Sequence, residues 1–330
     1  ANWSIYGYNR NTNPELTKIK GLTAFSHVLT ESNTTHKSVP MLMSSVTAHD
    51  FNSIYRQKGI ITAFKEAGYR TAFFSNQRYN HSFIDFFGKE ADICDFIKED
   101  TGNGGYNPSD DELLKLVAAE LAENASKQFI VLHTYGSHFN YRERYPADNA
   151  FFLPDFPVDA ELKYKDNLIN AYDNSIRYTD NFLARLIRML QEQDIDAAML
   201  YTSDHGEDIF DDDRHLFLHA SPVPSYYQIH VPFLIWMSDN YRKNYPDLFK
   251  NAEINRQKNI SSSASFFQTM LELGGIDTPS RNDSLSVINA SYTEKNRVYL
   301  NDHNEARSLN DIGMREEDFT MLQMKGIVYR

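Results

Sequence analysis

Met199-Leu-Tyr-Thr-Ser-Asp204-His205-Gly206-Glu207 is an apolar run that ends abruptly in an acid, an imidazole and a glycine. Ile195 to Tyr201 reads as a mostly buried strand, too short for a helix and closed by a turn signal. A carboxylate next to a histidine at the carboxyl end of such a strand sits where open α/β sheets place their chemistry. Oxygen and nitrogen donors side by side suit zinc. Taken alone, the triplet is also a helix N-cap Asp followed by a chance His.

Outward from this strand, strand and helix signals alternate almost from end to end. That alternation predicts an α/β fold with a mostly parallel central sheet covered on both faces. Leu22 to Leu29, Arg70 to Phe74, Gln128 to His133 and Val231 to Met237 read as strands. Asn13-Pro14 opens a short helix through Ile19, Gly59 to Ala67 is a helix stopped by Gly68, and Ser262 to Leu273 is a helix closed by Gly274-Gly275. Ser109 with Glu112 has the capping-box pattern, which predicts a helix running to Asn124. The longest helix is expected from Ala160 to Gln193, with Leu168, Tyr172, Ile176, Thr179, Leu183, Leu186, Ile187 and Leu190 as its core-facing stripe. Arg297 to Asn301, Phe319 to Met324 and Ile327 to Tyr329 look like edge strands, the last two turning at Lys325-Gly326. Gly102 to Pro108 and Tyr141 to Val158 read as long surface loops. No repeat is visible and no linker forces a second domain, so residues 1–330 read as one domain.

The 330 residues, 41% of them hydrophobic, suffice for a large core. No run approaches the roughly 18 consecutive apolar residues of a membrane span, and no leader of signal-peptide type opens the chain. A net charge of −12 argues against a nucleic-acid partner. There is no lysine-rich run to dock electrostatically on anionic lipid. Cys94 is the only cysteine, which excludes an internal disulfide and a multi-cysteine zinc site.

Histidines recur at comparable strand exits. Val131-Leu-His133-Thr-Tyr-Gly-Ser-His138 leaves a strand as Asp204-His205 does, and Arg214-His215-Leu-Phe-Leu-His219 follows the Asp-His-Gly turn. Parallel strands bring their carboxyl ends to one edge, so such loops can converge although distant in sequence. A lone His is ordinarily structural; several strand exits carrying His and Asp favour a site. Thr30-Glu-Ser-Asn-Thr34-Thr35-His36-Lys37-Ser38-Val39-Pro40 is a polar turn leading into an apolar, helical stretch from Val39 to Val46. Hydroxyls at a helix entrance usually cap it. The same geometry aims N–H groups and the helix dipole at an anion such as phosphate. A zinc-bound hydroxyl can ionise near neutral pH, as zinc-bound water does with a pKa of about 7, so a threonine here could attack phosphorus without a neighbouring base.

With these segments in view, the chain resembles the catalytic domain of phosphoethanolamine transferases, within the alkaline phosphatase and sulfatase superfamily. The resemblance is carried by Trp3-Ser-Ile-Tyr6-Gly7-Tyr8, Thr35-x-x-Ser38-Val39-Pro40, Phe74-Ser75-Asn76-Gln77, His133-x-x-Gly136-Ser137-His138, Ile169-Asn-Ala-Tyr172-Asp173-Asn174, Ser203-Asp-His-Gly-Glu207 and Leu218-His219-Ala-Ser-Pro222. It implies a three-layer α/β/α sandwich of alkaline phosphatase type. It implies Thr35 as the nucleophile, with Asp204, His205 and Thr35 as zinc ligands. His138 and His219 are the expected contacts of the phosphoryl group or of a second zinc. Glu207 is expected near the donor's amine, His133 and Asn76 along the substrate site, and His215 is a further candidate. The implied donor is phosphatidylethanolamine and the implied acceptor a lipid A or other envelope-glycan hydroxyl. The family anchors this domain through N-terminal membrane helices, which places it on the periplasmic face of the inner membrane.

Two departures stand out. The family carries a Glu zinc ligand a few residues before the Trp-Ser-x-Tyr-Gly segment, at the end of the first central strand, and this sequence opens at Ala1, after that point. Many relatives also carry several disulfides. Among rivals, a sulfatase uses a Cys or Ser in a C/S-x-P-x-R motif; Ser38-Val39-Pro40-Met41-Leu42 has Leu where that arginine belongs. A phosphoglycerol transferase would differ in the donor pocket, and an inactive binding domain in failing to bind zinc.

Overall fold

The computed structural model describes residues 2–98 and 108–329, so the loop read at Gly102 to Pro108 lies almost wholly outside the described residues. Contacts group the chain into two compact units: Gly21–Ala63 with Asp194–Arg330, and Asn2–Lys20 with Phe64–Gln193.

The first unit contains the Asp-His-Gly strand, which spans Ala198–Thr202. It pairs antiparallel with Phe233–Met237, whose other edge pairs antiparallel with Leu22–Ala24. Every residue of Phe233–Met237 is buried. Five consecutive apolar side chains point alternately to both faces, so the sheet must be covered on both. Phe25, Val28, Val231, Phe233, Ile235 and Ile260 fill this core, with Phe25 edge-on to Phe233 at 5.6 Å. The strand expected from Leu22 to Leu29 is broken. After Ala24 the Ser26 N–H turns to the carbonyl of Arg256, and Val28–Leu29 pairs in parallel with Ile260–Ser261. Hydrophobicity does not record a change of partner midway.

The second unit has an all-parallel sheet, Arg70–Ser75 lying between Ile93–Phe96 and Gln128–His133, with Ser75 in register with His133. The long helix spans Lys165–Glu192, preceded by a 3-10 turn at Leu162–Tyr164. Its expected stripe from Leu168 to Ile187 is buried, and Leu190 is half-buried.

Other readings are corrected by long-range partners. The turn Lys325-Gly326 is a helix ending, not a hairpin. Glu316–Met324 is a helix with three acids in its first turn. The N–H of Ile327 returns to the carbonyl of Leu322 at 2.9 Å and that of Gly326, at φ +72°, to Gln323. This pair of bonds is a Schellman ending, which needs a left-handed residue where only glycine is unstrained. Helix Asp111–Ala122 is capped at Asp110 rather than Ser109, with no side-chain cap bond. The Asp110 carboxylate is taken by Asn76 and by the N–H groups of Tyr135 and Gly136. After Asn13-Pro14 there is only a 3-10 turn, Leu16–Lys18, since Asp180 satisfies the N–H groups of Glu15 and Leu16. Val298–Leu300 is an edge strand, paired antiparallel with Ala306–Ser308. Among the described residues no helix is long and apolar enough to cross a membrane.

Candidate active site

In the first unit, strand Val28–Leu29 runs into residues 30–34 and then the helix Thr35–Met43. That helix opens at Thr35, earlier than the Val39 expected from apolar content, and ends at Met43. Thr34 is the N-cap position and makes no side-chain cap bond. The capping explanation therefore does not apply to the Thr35 hydroxyl, which lies 3.2 Å from Nε2 of His205. At this helix entrance the Lys37 N–H turns back to the Thr34 carbonyl at 3.1 Å, while the N–H groups of Thr35 and His36, with the dipole, favour an anion at Thr35.

His205 arrives from the end of Ala198–Thr202. Its Nδ1 lies 3.0 Å from the carbonyl of Gly206, which only accepts, so Nδ1 carries a proton and Nε2 is the atom turned to the site. Nε2 is 3.4 Å from Oδ2 of Asp204. A proton or a cation held between these two atoms would satisfy both. Ser38 reaches the same carboxylate oxygen at 3.5 Å while donating to the carbonyl of Thr34 at 2.9 Å. Thr30 joins the two strand exits, its hydroxyl donating to the carbonyl of Asp204 at 2.9 Å.

Gly206 is required by close approach. A Cβ there would stand 2.1 Å from the carbonyl oxygen of Tyr227, and its N–H donates to the carbonyl of Gln228 at 2.8 Å. Beyond it, Asp208–Ile209 and Phe217–Leu218 form a short hairpin. Phe210, His215, Leu218 and Ala220 around it all have φ between 50° and 67°. Non-glycine residues in that region cost energy and cluster at functional sites. The hairpin delivers His219, whose ring lies 4.0 Å from that of His205 and whose Nδ1 is 3.3 Å from Oε1 of Glu207. His215 is exposed at the hairpin turn, its N–H on the carbonyl of Asp212.

Sequence reading missed the residues that hold these loops together. Buried Asn33 donates to the carbonyl of Ser221 at 2.9 Å and to Oε1 of Gln228 at 2.5 Å, and accepts from the Tyr299 hydroxyl at 2.6 Å. Its own carbonyl accepts from the N–H of Ala220 at 3.2 Å. Gln228 in turn donates to Ser221 and Asp208, whose carboxyl burial pushes up to about 6. Asn33 and Ser38 lay inside the polar turn already singled out; Gln228 carried no local signal. Lys37 is buried, with Nζ on the carbonyl of Asn301 at 2.7 Å, and burial lowers its pKa.

Asp204, His205 and the Thr35 hydroxyl thus form a hard-oxygen and imidazole donor set that fits part of a zinc shell. Among the described residues no group of three or more His, Cys, Asp or Glu is gathered as a metal site. Leu42, at the position of the sulfatase arginine, is buried in the core.

The remaining candidates belong to the second unit. His133 Nδ1 is 2.9 Å from the Ser75 hydroxyl, and the carbonyl of His133 accepts from the N–H of Asn76 at 2.9 Å. Asn76 is buried and its amide nitrogen is committed to the carbonyl of Pro108 and to Asp110. It acts as a bracket within this unit. His138 is exposed, Nδ1 facing the carbonyl of Phe139 at 2.5 Å, on the turn whose N–H groups Asp110 holds. Burial raises the Asp110 pKa.

Comparison with known proteins places this geometry in context. The chain is 26% identical over 305 residues to phosphoethanolamine transferase EptC of Escherichia coli O18:K1:H7, covering 89% of this chain and 52% of that protein. It is 31% identical over 261 residues to the Kdo(2)-lipid A phosphoethanolamine 7''-transferase of Escherichia coli K12, covering 78% and 45%. The chain therefore spans about half the length of the curated relatives it matches. Its fold superposes on the zinc complex of the C-terminal periplasmic domain of EptC from Escherichia coli with a TM-score of 0.84 at 23% identity, covering 94% of this chain and 89% of that one. The α/β fold is the one found in the alkaline phosphatase superfamily. The family model for sulfatases matches residues 1–276, which include Thr35, Asp204, His205 and His219, and the chain belongs to that family.

Proposed function

We propose that this chain is the catalytic part of a zinc-dependent phosphoethanolamine transferase, acting on phosphatidylethanolamine and a lipid A or other envelope-glycan acceptor at the periplasmic face of the inner membrane. The observation that carries it is the Thr35 hydroxyl, unused as a cap, at a helix N-terminus and 3.2 Å from His205 beside Asp204. The similarity to transferases that modify lipid A supports the same reading.

Zinc held by Asp204, His205 and Thr35 would supply Lewis acidity and lower the hydroxyl's pKa. The helix entrance holds the donor phosphate through its N–H groups. Thr35 gives up its proton to solvent, its Oγ1 forms a bond to phosphorus as the bond to the diacylglycerol oxygen breaks, and the leaving oxygen takes its proton from His219. Glu207 keeps the His219 ring in place and lies within reach of the donor's ammonium. The phosphoethanolamine on Thr35 then passes to the acceptor hydroxyl, which loses its proton as Thr35 regains one. Buried Leu42 disfavours the sulfatase alternative.

Intact-mass analysis of the zinc-loaded protein after incubation with phosphatidylethanolamine is the test. An added phosphoethanolamine is expected on the parent and on Thr35→Ser, none on Thr35→Ala, and none after chelation. An adduct persisting in Thr35→Ala would refute the assignment.

A further inference from the structure

In the second unit, five large apolar side chains stand in solvent along one stretch: Phe151 (59% exposed), Leu153 (67%), Phe156 (66%), Val158 (80%) and Leu162 (45%). Singly exposed apolar residues need no explanation, but five within residues 151–162 point to an interaction surface. Its backbone is strapped down. Three asparagines along one face of the helix Lys165–Glu192 hold it at successive points. Asn174 accepts from the N–H groups of Phe151 (2.9 Å) and Phe152 (2.8 Å), Asn170 donates to the carbonyl of Pro154 (2.8 Å), and Asn167 donates to that of Phe156 (3.3 Å). Asp155 turns inward, accepting from the Tyr145 hydroxyl at 2.7 Å and pairing with Arg142 at 3.2 Å. The apolar side chains are held outward by a built scaffold, so little ordering remains to be done on binding.

Cations stand behind the rings. Arg177 stacks over Phe151 at 4.2 Å, Arg10 over Phe152 at 4.3 Å and Arg142 over Phe156 at 4.4 Å. Arg10 and Arg142 are themselves held by Asp173 and Asp155, so the cations fix the rings from behind, and the outward aromatic and aliphatic tips match the interfacial, acyl side of a phospholipid surface. Asp148, Asp159, Glu161 and Asp166 share the stretch, so its charge is mixed and insertion, rather than net attraction, supplies the binding.

We infer that residues 151–162 are a lipid-docking surface, which lays Phe151, Leu153 and Phe156 into the interfacial layer of a phospholipid bilayer. The inference extends the proposed function, whose donor is a phospholipid, yet stands on residues that take no part in the chemistry.

Flotation with vesicles of phosphatidylethanolamine and phosphatidylglycerol tests it directly. The parent chain is expected to float, and the triple variant Phe151→Ser, Leu153→Ser, Phe156→Ser to partition at least about tenfold less, with an unchanged melting temperature. A second arm uses Phe156→Trp, since Trp3 and Trp236 are both buried. The emission of the introduced indole should shift to the blue with vesicles and be quenched by brominated acyl chains. The Thr35 adduct formed from detergent-dispersed donor should be unaffected by the triple substitution, which separates failure of docking from failure of the catalytic assignment. Equal flotation of parent and triple variant, or an unshifted emission in Phe156→Trp, would overturn the inference. So would self-association of the parent that the triple variant loses, because the surface would then be covered by a second copy.

Discussion

Substituting Gly206 by alanine measures how closely the Asp-His turn is packed. The added Cβ would meet the Tyr227 carbonyl oxygen at 2.1 Å, its carbon at 3.2 Å and the carbonyl carbon of Gln228 at 3.5 Å. All three are backbone atoms, so no rotamer change relieves the clash. With ordinary contact at roughly 3.5 Å, the turn must withdraw by about 1.4 Å. That costs about 2 kcal/mol of overpacking and about 1 kcal/mol for the bond from the Gly206 N–H to Gln228, about 3 kcal/mol together. Gly68→Ala is the control. Gly68 has φ +83° with nothing within 4 Å of its Cβ position, so only left-handed strain of about 1 kcal/mol applies. Urea denaturation of the two variants should therefore separate them by about 2 kcal/mol. The functional readout follows from the same displacement. His205 adjoins Gly206, and misplacing a reacting group by about 1 Å can cost about 100-fold in rate. Adduct formation on Thr35 should fall by that order in Gly206→Ala and hold in Gly68→Ala. A Gly206→Ala protein within about 0.5 kcal/mol of the parent, or one that forms the adduct at the parent rate, would refute the reasoning.

Asn33→Ala should cost about 3 kcal/mol in urea denaturation, because the Tyr299 hydroxyl and Gln228 lose buried partners; a loss under about 1 kcal/mol would mean the tie between the loops is unimportant. Burial lifts the Asp208 carboxyl to about 6, above the roughly 3.9 of an unfolded chain. The folded state holds that proton more tightly, so this contribution to stability is full below about pH 4 and is lost as pH rises through about 6. Asp208→Asn keeps an acceptor for Ser225 and Gln228. It should match the parent near pH 4 and exceed it by about 3 kcal/mol at pH 8, and a difference independent of pH between those values would contradict this. Asp173→Ala should cost about 3 kcal/mol by thermal melting, since Asn2, Tyr8 and Arg10 all converge on that buried carboxylate; an unchanged melting temperature would show that this network does not hold the Trp3 to Tyr8 segment.

Much of the architecture was legible because it is local. Gln128–His133 and Ser262–Leu273 occur with the bounds read from their periodicity and flanking signals. The stripe of the long helix is buried as its spacing predicts. The misreadings share one cause. Lys325-Gly326 is the same dipeptide in a hairpin and in a helix ending, and only the Leu322 carbonyl distinguishes them. Ser109 looks like a better cap than Asp110 until Asp110 is seen holding the Tyr135–Gly136 turn.

By itself the sequence determined the α/β class, the Asp-His pair at a strand end and the Thr35 turn, since each is written in a short run of residues whose pattern restricts the backbone. The tertiary structure alone decided that the Thr35 hydroxyl meets His205 rather than capping its helix, and that Asn33, Gln228 and the backbone of Tyr227 hold those loops at that distance. It also decided that Phe151 and Phe156 face outward on a rigid scaffold. Such facts depend on which groups satisfy a donor, an acceptor or a close approach, and residues adjacent in sequence carry no record of partners that folding brings from 11 to 195 positions away.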